Sequence, residues 1–173
     1  NVQDIILIVN MILDGGYSGV ADMNGDGAVN VQDIILIVNM ILDSRAIDAT
    51  SSEILITPGA LLLKSDGFIG GVQMTLHHGN NFSVDVTDNA MVADYKTSGN
   101  HTTVVVVVPG SEELFTYAGE FEIVDIMVVN GSDEIDVITP AVFTLGAAYP
   151  NPFNPSTSIA LEVADAGNVN VAV

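Results

Sequence analysis

Residues Asn1 to Asp14, NVQDIILIVNMILD, recur letter for letter as Asn30 to Asp43, a tandem repeat with a period of 29 residues. A repeat this short is one supersecondary unit, and such a unit buries its apolar side only against a neighbour. Within each copy the apolar residues keep helical spacing: Val31, Ile34, Ile35, Val38, Ile41 and Leu42 in the second, and Ile5, Ile6, Val9, Ile12 and Leu13 in the first. Leu36, Ile37 and Met40 widen the stripe beyond what one partner helix covers. Two such helices packed antiparallel still leave apolar surface, which serves either a separate partner or the next domain of the same chain. Membrane insertion is not expected, because Val31 to Leu42 spans only about a dozen residues and is broken by Gln32, Asp33 and Asn39.

Between the copies lies Asp22 to Asp33, DMNGDGAVNVQD. Counted as a loop, it has Asp22 at position 1, Asn24 at 3, Asp26 at 5, Gly27 at 6, Asn30 at 9 and Asp33 at 12. Side chains at positions 1, 3 and 5 converge only if the backbone wraps round a point, and a residue without a Cβ at position 6 allows the sharp turn this needs. A hard cation with oxygen ligands fits the pattern. The expected calcium ligands are side-chain oxygens of Asp22, Asn24 and Asp26, the carbonyl of Ala28, Asn30 through water, and Asp33 as the closing carboxylate. Zinc is disfavoured, since the loop holds neither Cys nor His. A polar turn without metal is the plainer alternative, which six matching positions weigh against.

The loop spacing is that of an EF-hand, with Asp33 where Glu is common; the shorter side chain suits a tighter loop. Only part of the first unit is present, with Asn1 and Asp4 at loop positions 9 and 12. Gly15, Gly16, Tyr17, Ser18 and Gly19 fill the space where a helix entering the second loop would sit, so each unit is a loop followed by one helix. Over residues 1 to 44 this resembles the dockerin module. That resemblance implies a cohesin-type partner domain, in cis or in trans. It also implies that loop positions 10 and 11 contact the partner: Val31 and Gln32, with Val2 and Gln3 in the first copy.

Ser44 to Glu53 is polar and reads as a linker, and beyond it the apolar period changes to two. Val72, Met74 and Leu76 alternate with polar residues, as do Phe82, Val84 and Val86. Thr102 to Val108, TTVVVVV, is β-branched throughout and reads as a central strand buried on both faces. Glu120 to Asn130 and Glu134 to Ile138 add strands around the turn Asn130-Gly131-Ser132-Asp133. The expected fold is mainly β with a small α-helical calcium-binding module: two EF-hand-like loop–helix units over 1–44, a linker over 45–53, an antiparallel β-sandwich over 54–147, and the first strands of a second β-sandwich over 148–173. Gly70-Gly71-Val72-Gln73-Met74-Thr75-Leu76 and Ile123 to Gly131 give the first sandwich a resemblance to cohesins. Residues 148 to 163, AYPNPFNPSTSIALEV, resemble the opening of the C-terminal sorting domains of the type IX secretion system. They imply contact with secretion machinery and a secreted or cell-surface location. Pro150, Pro152 and Pro155 would make a stiff junction, while Ile159, Leu161 and Val163 could instead complete the preceding sandwich.

With 22 acidic residues against three basic ones, the net charge of −19 argues against nucleic-acid partners. Calcium offsets part of it. The chain has no cysteine, hence no disulfide staples and no thiol chemistry. No nucleophile motif and no phosphate-loop spacing occurs, and His77 and His78, beside Gly79-Asn80-Asn81, read as a solvated turn. Adjacent Glu112 and Glu113 would face opposite sides of a strand, so no enzyme is expected within these residues, and the alternative to a scaffolding region is a structural stalk attached to a catalytic domain preceding residue 1.

Overall fold

The computed structural model describes residues 1–41, 47–140 and the short strands 143–145 and 161–163. The chain divides into two compact units, 1–138 and 139–173.

In the first unit, helices α1 (Val2–Leu13) and α2 (Val31–Ile41) precede ten strands: β1 (Ser52–Thr57), β2 (Ala60–Ser65), β3 (Gly71–His78), β4 (Ser83–Val86), β5 (Ala90–Ser98), β6 (His101–Pro109), β7 (Glu113–Ala118), β8 (Phe121–Val129), β9 (Glu134–Ile135) and β10 (Val137–Ile138). They form two five-stranded sheets, ordered β10-β1-β2-β7-β4 and β5-β6-β3-β8-β9. All pairings in this unit's sheets are antiparallel except β1 with β10. The two sheets enclose a core of Ile54, Leu61, Val72, Met74, Val104 and Phe115 among others.

The alternation of β6 explains the rest of the architecture. Val104 and Val106 point into the sandwich, whereas Val105 and Val107 point outward, and all four are buried. A strand that is apolar on both sides needs a cover on its outer face. Here α1 and α2 supply it, packing Ile5, Val9, Val31, Ile34 and Val38 with Val105, Val107 and Val129 into a second core. The loop–helix segment and the sandwich, expected as modules 1–44 and 54–147 joined by a linker, thus lie in one compact unit that ends at Ile138. The physical reason is the surplus apolar surface that two packed helices leave. Past the undescribed 42–46, the expected linker is itself built in: Ala49 is fully buried, Phe68 N–H donates to the Ile47 carbonyl at 2.7 Å, and Ser52 and Glu53 already belong to β1.

In the second unit β11 (Phe143–Leu145) pairs antiparallel with β12 (Leu161–Val163), Phe143 opposite Val163. Leu161 and Val163 thus belong to a two-stranded sheet with β11, and Ile159 lies outside the described residues. Tyr149 to Pro155, on which the sorting-domain expectation rests, lie outside the described residues.

Candidate functional site

The Asp22–Asp33 loop folds on its own side-chain oxygens. Asp22 Oδ1 accepts from the amides of Gly25 and Asp26 at 2.8 and 3.1 Å, and Asp22 Oδ2 accepts from Gly27 N–H and the Tyr17 hydroxyl at 3.1 and 3.0 Å. Asn24 Oδ1 accepts from Asp26 N–H and Asp26 Oδ1 from Ala28 N–H, each oxygen bent back onto the next turn of chain. Gly27 takes φ +91°, the left-handed conformation for which its position selects a glycine. Asp33 closes the loop. Its Oδ1 accepts from Met23 and Asn24 N–H at 2.7 and 3.2 Å, and its Oδ2 from Asn30 N–H at 2.9 Å, with the side chain fully buried.

Sequence reading missed a second role for two of these positions. Gln32 N–H donates to Asn30 Oδ1 at 2.8 Å while Asp33 reaches back to Asn30 N–H, a reciprocal capping box at the start of α2. Asn1 and Asp4 make the same box at the start of α1. Positions 9 and 12 of the loop pattern therefore also cap the start of a helix in both copies. The hydrogen bonds also set the electrostatics. The Ala28 amide, with the Asn24 side chain, holds the Asp26 carboxyl below its ordinary range. The carboxylate of Asp22 beside it raises the Tyr17 phenol. Among the described residues no three His, Asp or Glu side chains are gathered as a metal-holding group. The loop carboxylates are turned onto amides, yet the donor set remains all oxygen, wrapped about the glycine turn, and suits a hard cation.

The residues at positions 10 and 11 are not equivalent in the two copies. Val31 is fully buried, its N–H donating to Gln73 Oε1 on β3 at 3.1 Å. Gly71 makes room for it, since a Cβ there would overlap Val31 Cγ2, and one at Gly70 would lie 2.7 Å from Ile35 Cδ1. Gln32 is half-buried and lines a small hollow with Asn24, Ile35, Asn130 and Asp133. At the far end of α2, Asn39 Nδ2 donates to the Gly131 carbonyl at 2.7 Å. Val2 and Gln3 of the first copy are exposed, Val2 at 44%. Asp4 is exposed as well. The structure thus brings Val31 to the sandwich of its own chain and leaves Val2 and Gln3 in solvent. Beside α1, Leu7, Ile8, Met11, Val20, Ile37 and Met40 line an open groove of about 540 Å³.

His78 corrects the solvated-turn reading: it is buried, its Nε2 paired with Thr102 Oγ1 at 2.8 Å and its ring stacked on Phe82. His77 is exposed, as read. Glu112 and Glu113 are both exposed.

No protein-family model and no curated protein matches the chain. A comparison with solved structures finds a non-cellulosomal cohesin from the hyperthermophilic archaeon Archaeoglobus fulgidus, 14% identical, covering 56% of this chain and 86% of that one with a TM-score of 0.33. The sandwich is established here by its own two sheets.

Proposed function

We propose that this region is a non-catalytic, calcium-folded scaffolding element of a secreted or cell-surface bacterial protein, in which the loop–helix repeat is seated in cis on its own cohesin-like sandwich. One observation carries the reading. Val31, the residue that the dockerin resemblance marks for partner contact, is buried on β3 with its amide held by Gln73. Asp22, Asn24, Asp26, Ala28, Asn30 and Asp33 would hold the calcium ion, whose charge would offset the carboxylates and fix the entry to α2. A role for secretion machinery rests on the wording of residues 148–163 alone.

A trans reading keeps one support, the exposed apolar groove beside α1, where Leu7 is 66% and Met40 74% exposed. Calcium titration of the full chain, followed by circular dichroism and thermal melting, tests the main proposal. The expected outcome is a melting temperature that rises with calcium and falls with chelator, and Asp22→Ala removes the response. A melt indifferent to both calcium and chelator would sink the calcium part of the reading.

A further inference from the structure

The outer face of the β5-β6-β3-β8-β9 sheet is covered by the helices at one end only. Outward-facing positions of β3 run from Gly71, under Val31, through Gln73 and Thr75 to His77. At the uncovered end His77 lies directly opposite His101 of β6. Both side chains are exposed, and the ring centroids are 5.0 Å apart with the planes tilted by 54°. On the other flank of His77, Glu122 of β8 is its register partner and is also exposed. We propose that His77 and His101 form a two-imidazole site for a borderline divalent metal such as zinc.

Geometry and chemistry support this together. The 5.0 Å centroid spacing leaves room for one ion between the rings: with a nitrogen of each ring turned towards it, a metal ~2.0–2.1 Å from each nitrogen would stand ~3.2 Å from each centroid, and the two arms would meet at about 100°, within reach of tetrahedral coordination. Imidazole nitrogen suits zinc, copper and nickel, whereas the all-oxygen Asp22–Asp33 loop suits calcium, so the two sites select different ions. The pair is also held in place from behind. His78 N–H donates to the Asn100 carbonyl and Asn100 Nδ2 returns a bond to the His78 carbonyl, both at 2.9 Å. Those bonds lock the register beside the pair, and buried His78 anchors the opposite face through Thr102. Ligands on rigid paired strands lose little freedom on binding. Glu122 adds a negative neighbour, water completes the coordination, and the chain's charge of −19 draws cations to the surface.

The test uses the full chain with calcium at saturation and zinc chloride as the probe, in isothermal titration and in ¹⁵N spectra of the imidazole nitrogens. The chain has three histidines, so His78 is an internal control. Expected are one zinc site, perturbed ring nitrogens in His77 and His101 but not in His78, and affinity at least tenfold weaker in His77→Ala and in His101→Ala. His77→Gln and His101→Gln repeat the measurement should an alanine variant melt early without zinc. Zinc affinity unchanged in both single variants, or perturbation of His78 alone, would overturn the site.

Discussion

Two stretches with the same fourteen letters, Asn1–Asp14 and Asn30–Asp43, meet different fates in one molecule. Ile5 and Ile34 are both fully buried, so the inner edge of each helix behaves alike. One residue further round they part: Ile6 is 43% exposed and Ile35 only 3%, while Val2 stands in solvent and Val31 is enclosed. Asn10 bonds to Ile6 O within its own helix, and its counterpart Asn39 reaches across to Gly131. Asp4 is exposed and Asp33 fully buried. Residue identity set the helices and their capping boxes. What separates the copies is the company each keeps: α2 has a glycine-cut seat on β3 and β8 beneath it, whereas α1 lies over β5 and β6.

The comparison can be broken most forcefully at the second pair of isoleucines, Ile6 and Ile35. Ile35→Ala should cost ~2–5 kcal/mol by chemical denaturation, and Ile6→Ala ~1 kcal/mol or less, because only the first opens a cavity. Ile5→Ala and Ile34→Ala should both fall in the upper range, and a large gap between them would contradict the shared inner edge. Next comes the acidic pair. Asp33→Ala strips the partner from the amides of Met23, Asn24 and Asn30 and should cost ~2–3 kcal/mol, with Asp4→Ala costing far less. Equal losses would mean that Asp33 acts only as a helix cap. A smaller effect separates the asparagines: Asn39→Ala should cost ~1 kcal/mol and Asn10→Ala close to nothing, both read from melting curves.

The smallest expected effect concerns pH and the start of the sandwich. The Thr50 hydroxyl, with the Ser51 and Thr50 amides, holds the Asp66 carboxyl down to about 2. A depressed folded-state value contributes stability that is present above the unfolded value of ~3.9 and is lost as pH falls towards 2. Melting between pH 4 and pH 2 should therefore fall less steeply in Asp66→Asn than in the parent chain. Parallel curves would show that this exposed tie contributes nothing.

Much of this was legible in the residues. TTVVVVV announced a strand buried on both faces, and that alone required a cover for the outer face, which the repeat's surplus apolar surface could provide. The stripe Val31, Ile34, Ile35 and Val38 is buried as its spacing implied. In α1 the same rule pointed to Ile6, and the structure buries Ile8 instead. Five consecutive apolar residues, Ile5 to Val9, encircle the helix, so periodicity cannot choose its face. Strands β1 and β2 escaped notice because Ile54-Leu55-Ile56 and Leu61-Leu62-Leu63 are apolar runs too short to show either period, and β5 because its second half is exposed. Buried His78 was out of reach for another reason: Thr102, the partner that satisfies it, lies 24 residues away. The glycine turn at Gly27 was readable from the loop pattern, but the use of Asn30 and Asp33 as helix caps was hidden under that stronger pattern.

The seat of α2 on β3 is tested most directly by methyl NOE spectra of the calcium-saturated full chain. The account predicts contacts from the Val31 methyls to the Gly71 α-protons and no such contacts from the Val2 methyls. Val31 methyls without any contact to β3, or Val2 and Val31 giving indistinguishable contacts, would contradict it.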